Sequence, residues 1–170
     1  MDKNINYTVQ TASADDCGGI LSLCRSLIGT DGCAWDEYYP ARENIECDTA
    51  AGKQFIIRID GKIAACASAA FEEEHNAIGC WDKRMKNPVG LYRVGVASEF
   101  QHRGLARALV NHIIEAAPSM GADGVILLAA KSNPRAVKLY ESAGFEICGE
   151  CRMYDTDWHC MQFICRRNTV

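Results

Sequence analysis

No apolar run in this chain approaches the length of a membrane span, so a transmembrane helix is not expected. There is no excess of basic residues: Lys and Arg number 18 against 22 acids, for a formal net charge of -4. That balance speaks against a nucleic-acid partner, because phosphate binding needs a basic face. The first residues, Met1-Asp-Lys-Asn-Ile5, lack the apolar core of a signal peptide. Repeats, linkers and low-complexity stretches are also missing. The expectation is a soluble, cytoplasmic protein with no nucleic-acid and no membrane partner, monomeric or homodimeric. It is expected to fold as a single domain over residues 1–170, a size that can bury a core without staples.

Cysteine, by contrast, is abundant, with ten in 170 residues. Without an export signal these do not imply a disulfide framework. Cys24, Cys66 and Cys165 fall inside apolar patterns and read as small buried hydrophobes. Cys148-Gly-Glu-Cys151, followed by His159-Cys160, resembles zinc-ligand spacing. However, Cys148 and Cys151 lie in a predicted strand at an odd spacing, which places them on opposite faces. No metal is therefore expected.

The patterning alternates between strands and helices. Tyr7–Thr11 reads as a strand, and Asp15 or Asp16 can cap a helix through Ile20, Leu21, Cys24, Leu27 and Ile28. Pro40 precedes a second, charged helix over Ala41–Ala50. Phe55–Ile59 and Lys62–Ser68 flank Asp60-Gly61 as a hairpin. Phe71–Asn76 is polar and is expected to loop into solvent. Val89–Val96 reads as a central strand, followed by a helix from Gly104 with Leu105, Leu109, Ile113 and Ala116 on one stripe. Gly124–Ala130 is apolar throughout, as in a strand covered on both faces. Asn133-Pro134 opens a last helix that ends at Ala143-Gly144, before two closing strands, Phe145–Met153 and Trp158–Cys165.

The most informative stretch is Leu91 to Val110, which reads as strand, short turn and helix. A helix start directs backbone N–H groups and the positive end of the helix dipole to one spot, where a diphosphate can accept them. The small residues Gly104 and Ala106 let phosphates approach the backbone. Gly95, inside the strand, marks either a bulge, a close backbone approach or simple packing.

Gln101-His-Arg-Gly-Leu-Ala106 resembles the Gln/Arg-x-x-Gly-x-Gly/Ala turn of the GNAT superfamily of acyl-CoA-dependent N-acetyltransferases. Asn133-Pro-Arg-Ala-Val-Lys-Leu-Tyr-Glu-Ser-Ala-Gly-Phe145 resembles that family's Asn-x-x-Ala-x-x-x-Tyr-x-x-x-Gly-Phe element. The resemblance covers Phe55 to Cys165 in element order. It implies a mixed α/β sheet of six to seven strands flanked by about four helices, splayed between the two central parallel strands. It also implies acetyl-CoA as acyl donor. Val94, Gly95 and Val96 would meet the pantetheine arm, with a strand bulge there opening the splay. Gln101, His102, Arg103, Gly104, Leu105, Ala106 and Arg107 would hold the pyrophosphate. Asn133 would contact the pantetheine or cap its helix. Tyr140 would also line the donor site and protonate the departing CoA thiolate, against the alternative of a core aromatic.

The acceptor expected from this resemblance is a primary amine, favoured as that of a small molecule, attacked directly in a ternary complex. Glu72 and Glu74 are candidate bases, and a main-chain N–H near Val96 could polarise the thioester carbonyl. Trp35, Asp36, Glu37 and Tyr39 combine aromatic faces with carboxylates between the first two helices, which suits a cationic amine. The alternatives are a CoA-binding regulatory module without turnover, an acetyltransferase acting on a protein N-terminus or lysine, and a Cys/His metal-binding protein.

Overall fold

The computed structural model describes residues 6–165. Its elements are β1 (Val9–Thr11), α1 (Cys17–Leu27), α2 (Arg42–Ala50), β2 (Gln54–Ile59), β3 (Lys62–Ala70) and α3 (Glu73–Asn76). These are followed by β4 (Pro88–Val96), α4 (Leu105–Ala116), β5 (Gly124–Ala130), α5 (Pro134–Ser142), β6 (Glu146–Met153) and β7 (Thr156–Ile164). The helix beyond the four expected from the sequence is α3, a single turn where a polar loop was expected. It is not wholly solvated, since His75 within it is only 7% exposed.

The start of α1 differs from a simple aspartate cap. A 3-10 turn over Ala14–Asp16 precedes the helix, and Ser13 donates its N–H and hydroxyl to Asp16 Oδ2 at 2.8 and 3.1 Å. Asp16 is also ion-paired with Arg58 of β2. Burial alone would raise the Asp16 carboxyl, but the Ser13 N–H and the Arg58 guanidinium outweigh it and hold the pKa below its ordinary value. Asp16 thus ties the helix entry to the sheet.

The sheet has seven strands in the order β1-β2-β3-β4-β5-β7-β6. The β1–β2, β2–β3, β5–β7 and β6–β7 pairs are antiparallel, while β4 and β5 are parallel. The parallel register runs over Pro88–Gly90 against Gly124–Ile126. Strand β4 itself continues to Val96 and β5 to Ala130. The expected parallel central pair is therefore present at the start of both strands.

The residues gather in two compact units. The first contains the chain up to Gly29, Trp35–Ser68 and Arg93–Leu109; the second contains Thr30–Ala34, Ala69–Tyr92 and the chain from Val110 onward. In the first, the buried stripe of α1 is Ile20, Leu23, Cys24 and Leu27. Gly19 lets that helix approach β3, for a Cβ there would come within 2.9 Å of Ile63 Cδ1. In the second, Val110, Ile113, Val125, Ile126 and Met161 are at most 1% exposed. Each such side chain contributes about 1.5–3 kcal/mol from burial. Among the described residues no helix is long and apolar enough to cross a membrane.

Candidate active site

In the first unit the irregular residue of β4 is Arg93, with φ +54°. The sequence pointed to Gly95 as the bulge candidate, but the left-handed backbone lies two residues earlier. Such a conformation in a residue other than glycine costs about 1–3 kcal/mol and persists only when its surroundings enforce it. Here they do. Arg93 is 6% exposed and its Nε and Nη2 donate to Asp48 Oδ2 at 3.1 and 2.6 Å. Nε also donates to Ser68 Oγ at 3.1 Å, and Nη1 to the Tyr39 hydroxyl at 2.8 Å. Its carbonyl accepts from the Cys66 thiol at 3.6 Å. Hydrogen bonding to Cys24 and complete burial push the Cys66 thiol up, so it stays a protonated donor.

Gly95 serves a different purpose: close approach. A Cβ there would meet Trp35 Cη2 at 3.0 Å, Leu27 Cδ1 at 3.1 Å and Leu23 Cδ2 at 3.2 Å. The following turn is built from two left-handed residues, His102 (φ +62°) and Gly104 (φ +78°). Alternating handedness of this kind folds successive N–H groups into an anion-binding concavity. Gly104 faces open space, with only the Tyr7 hydroxyl, at 3.9 Å, near the position of a Cβ. Immediately beyond it α4 begins at Leu105, and the N–H groups of a helix start have no acceptor earlier in the helix. Gln101 clips the turn to the strand by donating from Nε2 to the Val96 carbonyl at 3.2 Å. Arg103 folds back, donating to the Glu99 carbonyl at 3.1 Å with its guanidinium 5.4 Å from the Phe100 ring centroid.

The Trp35–Tyr39 loop belongs to the same unit. Asp36 Oδ1 accepts the N–H groups of Tyr38 and Tyr39 at 2.8 and 2.9 Å, and the Asp36 carbonyl accepts from Arg25 at 3.0 Å. That carboxylate therefore shapes the loop, while Glu37 is exposed. The aromatic Trp35 and Tyr39 reach β4 at Gly95 and Arg93 respectively.

In the second unit Asn133 caps α5, its Oδ1 accepting from the Ala136 N–H at 3.1 Å, and its Nδ2 donates to the Gly32 carbonyl at 2.9 Å. Tyr140 is 9% exposed and its ring lies edge-on to Phe145 at 5.9 Å. Burial pushes its phenol up to about 12, so it keeps its proton across the physiological range.

The acids read as candidate bases flank the buried His75. Its Nδ1 is 3.5 Å from Glu72 Oε2, its ring centroid is 5.1 Å from that of Tyr92, and its carbonyl accepts from Trp81 Nε1 at 2.9 Å. Glu74 Oε2 accepts from the Tyr154 hydroxyl at 2.6 Å. Sequence reasoning missed Arg93, Asp48, Ser68 and Tyr92. The only local signal was a lone arginine inside the apolar run Leu91-Tyr-Arg-Val94.

The cysteines require a correction. The β6–β7 register slips between Ile147 and Gly149, so that Gly149 opposes Cys160 and Cys151 opposes Trp158. This bulge removes the strict alternation that put Cys148 and Cys151 on opposite faces. Cys80 lies over Gly149, where a Cβ would meet its Cβ at 2.7 Å. Burial, followed by the adjacent Cys80, pushes the Cys148 thiol up to about 12; burial, Cys80 and Cys151 likewise raise Cys160. Among the described residues, no group of three or more His, Cys, Asp or Glu is arranged to hold a metal ion.

Against known proteins, a model of the acetyltransferase (GNAT) family matches residues 20–145. Ribosomal protein bS18-alanine N-acetyltransferase of Salmonella typhimurium is 40% identical over 55 residues, covering 32% of this chain and 37% of that enzyme. The matched segments span about a third of the length of the curated relatives. Among solved structures, a GNAT-family acetyltransferase from Streptococcus agalactiae superposes with a TM-score of 0.75 at 20% identity, covering 95% of this chain and 96% of that one. The yncA protein of Salmonella typhimurium, determined with its cofactor acetyl-CoA, gives 0.72 at 20% identity with 97% of each chain covered. The parallel β4–β5 pair and the left-handed turn before α4 thus occur in a fold shared with acetyltransferases. Since the family model spans more than half of its residues, the chain belongs to the GNAT acetyltransferase family.

Proposed function

We propose that this protein transfers the acetyl group of acetyl-CoA to the primary amine of a small molecule, by direct attack in a ternary complex. The observation that carries the reading is the left-handed turn at His102 and Gly104, between the end of β4 and the start of α4. It offers converging N–H groups to a diphosphate and leaves Gly104 without a side chain in the way. Main-chain groups of Val94 and Val96 would take the pantetheine amides, and the N–H near Val96 would polarise the thioester carbonyl. Asn133 would line the donor site from α5.

Tyr140 is the proton source in this scheme. Its phenol, raised by burial, remains protonated until the thiolate departs. The amine must arrive neutral or lose a proton on the enzyme, because amines are mostly protonated near neutral pH. Glu72 and Glu74 are the base candidates for that proton. Trp35, Asp36, Glu37 and Tyr39 would form the amine wall. Acetyl-CoA should raise the melting temperature, and a panel of amines should release free CoA from it. A thermal shift without CoA release from any amine would instead support a CoA-binding regulatory module.

A second reading takes the acceptor as a protein N-terminus. It is favoured by the similarity to an enzyme named for acetylating the alanine of a ribosomal protein. Peptides with a free N-terminal alanine belong in the panel, and a preference for them over small amines would select this reading.

A further inference from the structure

One guanidinium meets three structural features at once. The Arg93 backbone forms the left-handed step of β4. Its side chain binds Asp48 of α2 and Ser68 of β3, and its Nη1 holds the hydroxyl of Tyr39 in the loop between α1 and α2. The same loop returns to the strand at Trp35, whose ring lies against Gly95. The loop is therefore fastened to β4 at positions 93 and 95, flanking Val94, while Gln101 holds the Val96 carbonyl.

We propose that Arg93, oriented by Asp48, is a positioning residue that couples the acyl-donor strand to the amine-side loop. Occupation of the Val94–Val96 main chain then orders the Trp35–Tyr39 segment, so that the amine wall is set when the donor is bound. This rests on the assignment of acetyl-CoA to β4 and the turn. Three features of the side chain suit it to the task. Arginine presents a planar fork with several donors, so one group serves the Asp48 carboxylate and two hydroxyls together. Both charges are largely withdrawn from water, with side-chain exposures of 3% for Arg93 and 10% for Asp48, so the pair resists rearrangement. Finally, the side chain is attached at the one residue of β4 with a left-handed backbone, so any shift of that step moves the guanidinium. Lysine could keep the charge opposite Asp48 but could not reproduce the fork.

Hydrogen–deuterium exchange with acetyl-CoA as the probe tests the coupling without requiring the amine. In the parent protein, acetyl-CoA should slow exchange in two places: the turn at residues 101–107 and the loop at residues 36–39. The loop effect should be about 5-fold or more, the scale of ordinary coupling between sites. In Tyr39→Phe, a mild change at a residue 36% exposed, the turn should still be protected and the loop response lost. Arg93→Lys should behave in the same way. Protection of the turn without any response in the loop of the parent would overturn the coupling. So would a loop response that survives in both variants. Absence of protection at the turn would overturn the donor assignment itself, and the coupling with it.

Discussion

The Trp35 indole lies on Gly95, its Cη2 only 3.0 Å from where a Cβ would stand, with Leu27 and Leu23 completing the enclosure at 3.1 and 3.2 Å. To admit a Cβ, all three side chains would have to give by a few tenths of an ångström. Gly95→Ala should therefore destabilise the protein by about 1–3 kcal/mol, the usual cost of overpacking. Chemical denaturation checks this, with an unchanged slope and a lowered midpoint as the expected pattern. A neutral substitution would mean that Trp35 moves freely off the strand.

Gly104 differs from Gly95 in kind, because its position is open but its φ of +78° disfavours any side chain. Gly104→Val should cost about 1 kcal/mol or more in stability and place a branched group where the diphosphate is assigned. The expected result is a folded protein with a modestly lower melting temperature and no further shift on adding acetyl-CoA. Parent-like stabilisation by acetyl-CoA in this variant would remove the turn from the donor site.

Tyr140 allows a test with a pH signature. Tyr140→Phe should lower kcat by about 10-fold or more and leave the affinity for acetyl-CoA nearly unchanged, as for a group used only in the transition state. In the parent, its folded pKa, raised to about 12, lies above the unfolded value near 10. The buried phenol's contribution is thus fully present below pH 10 and is lost as pH rises through the folded value. Over that interval stability should fall by up to about 1.4 kcal/mol per pH unit more than in Tyr140→Phe. Equal alkaline sensitivity in the two proteins would refute the burial argument, and unchanged kcat would return Tyr140 to the core.

What could be read in the sequence was local. The Asn133 cap, the Asp60-Gly61 hairpin and the Gly104 turn each depend on residues within a few positions, so their signals survive in the chain. The β4 anchor was not legible, because Arg93 meets Asp48 across 45 residues and Ser68 across 25. No periodicity records such a pairing. The Cys148 face was misread for a related reason: a bulge at Ile147/Gly149 shifts the register, and strict alternation assumes an unbroken strand. His75 was hidden by its polar neighbours, since its burial depends on Tyr92 and Tyr154, which lie elsewhere in the chain.

The acceptor loop yields the last prediction, and the geometry of Asp36 sharpens it. Its Oδ1 holds the N–H groups of Tyr38 and Tyr39, so removing the side chain would disturb the loop as well as the charge. Asp36→Asn separates the two effects, because the amide oxygen can still accept both bonds while the negative charge is gone. If the loop receives a cationic amine through charge, Asp36→Asn and Glu37→Gln should each raise the KM for the amine by about 3- to 10-fold, the scale of a partly exposed ion pair near 1 kcal/mol. The KM for acetyl-CoA should stay within error. High salt should narrow the difference between variant and parent, since exposed charges are screened. Asp36→Ala should do more, disturbing Tyr39 and with it the contact to Arg93. Should the amide variants treat the amine as the parent does while Asp36→Ala is impaired, Asp36 acts through the loop alone, and the cation site must be sought at Glu72 and Glu74.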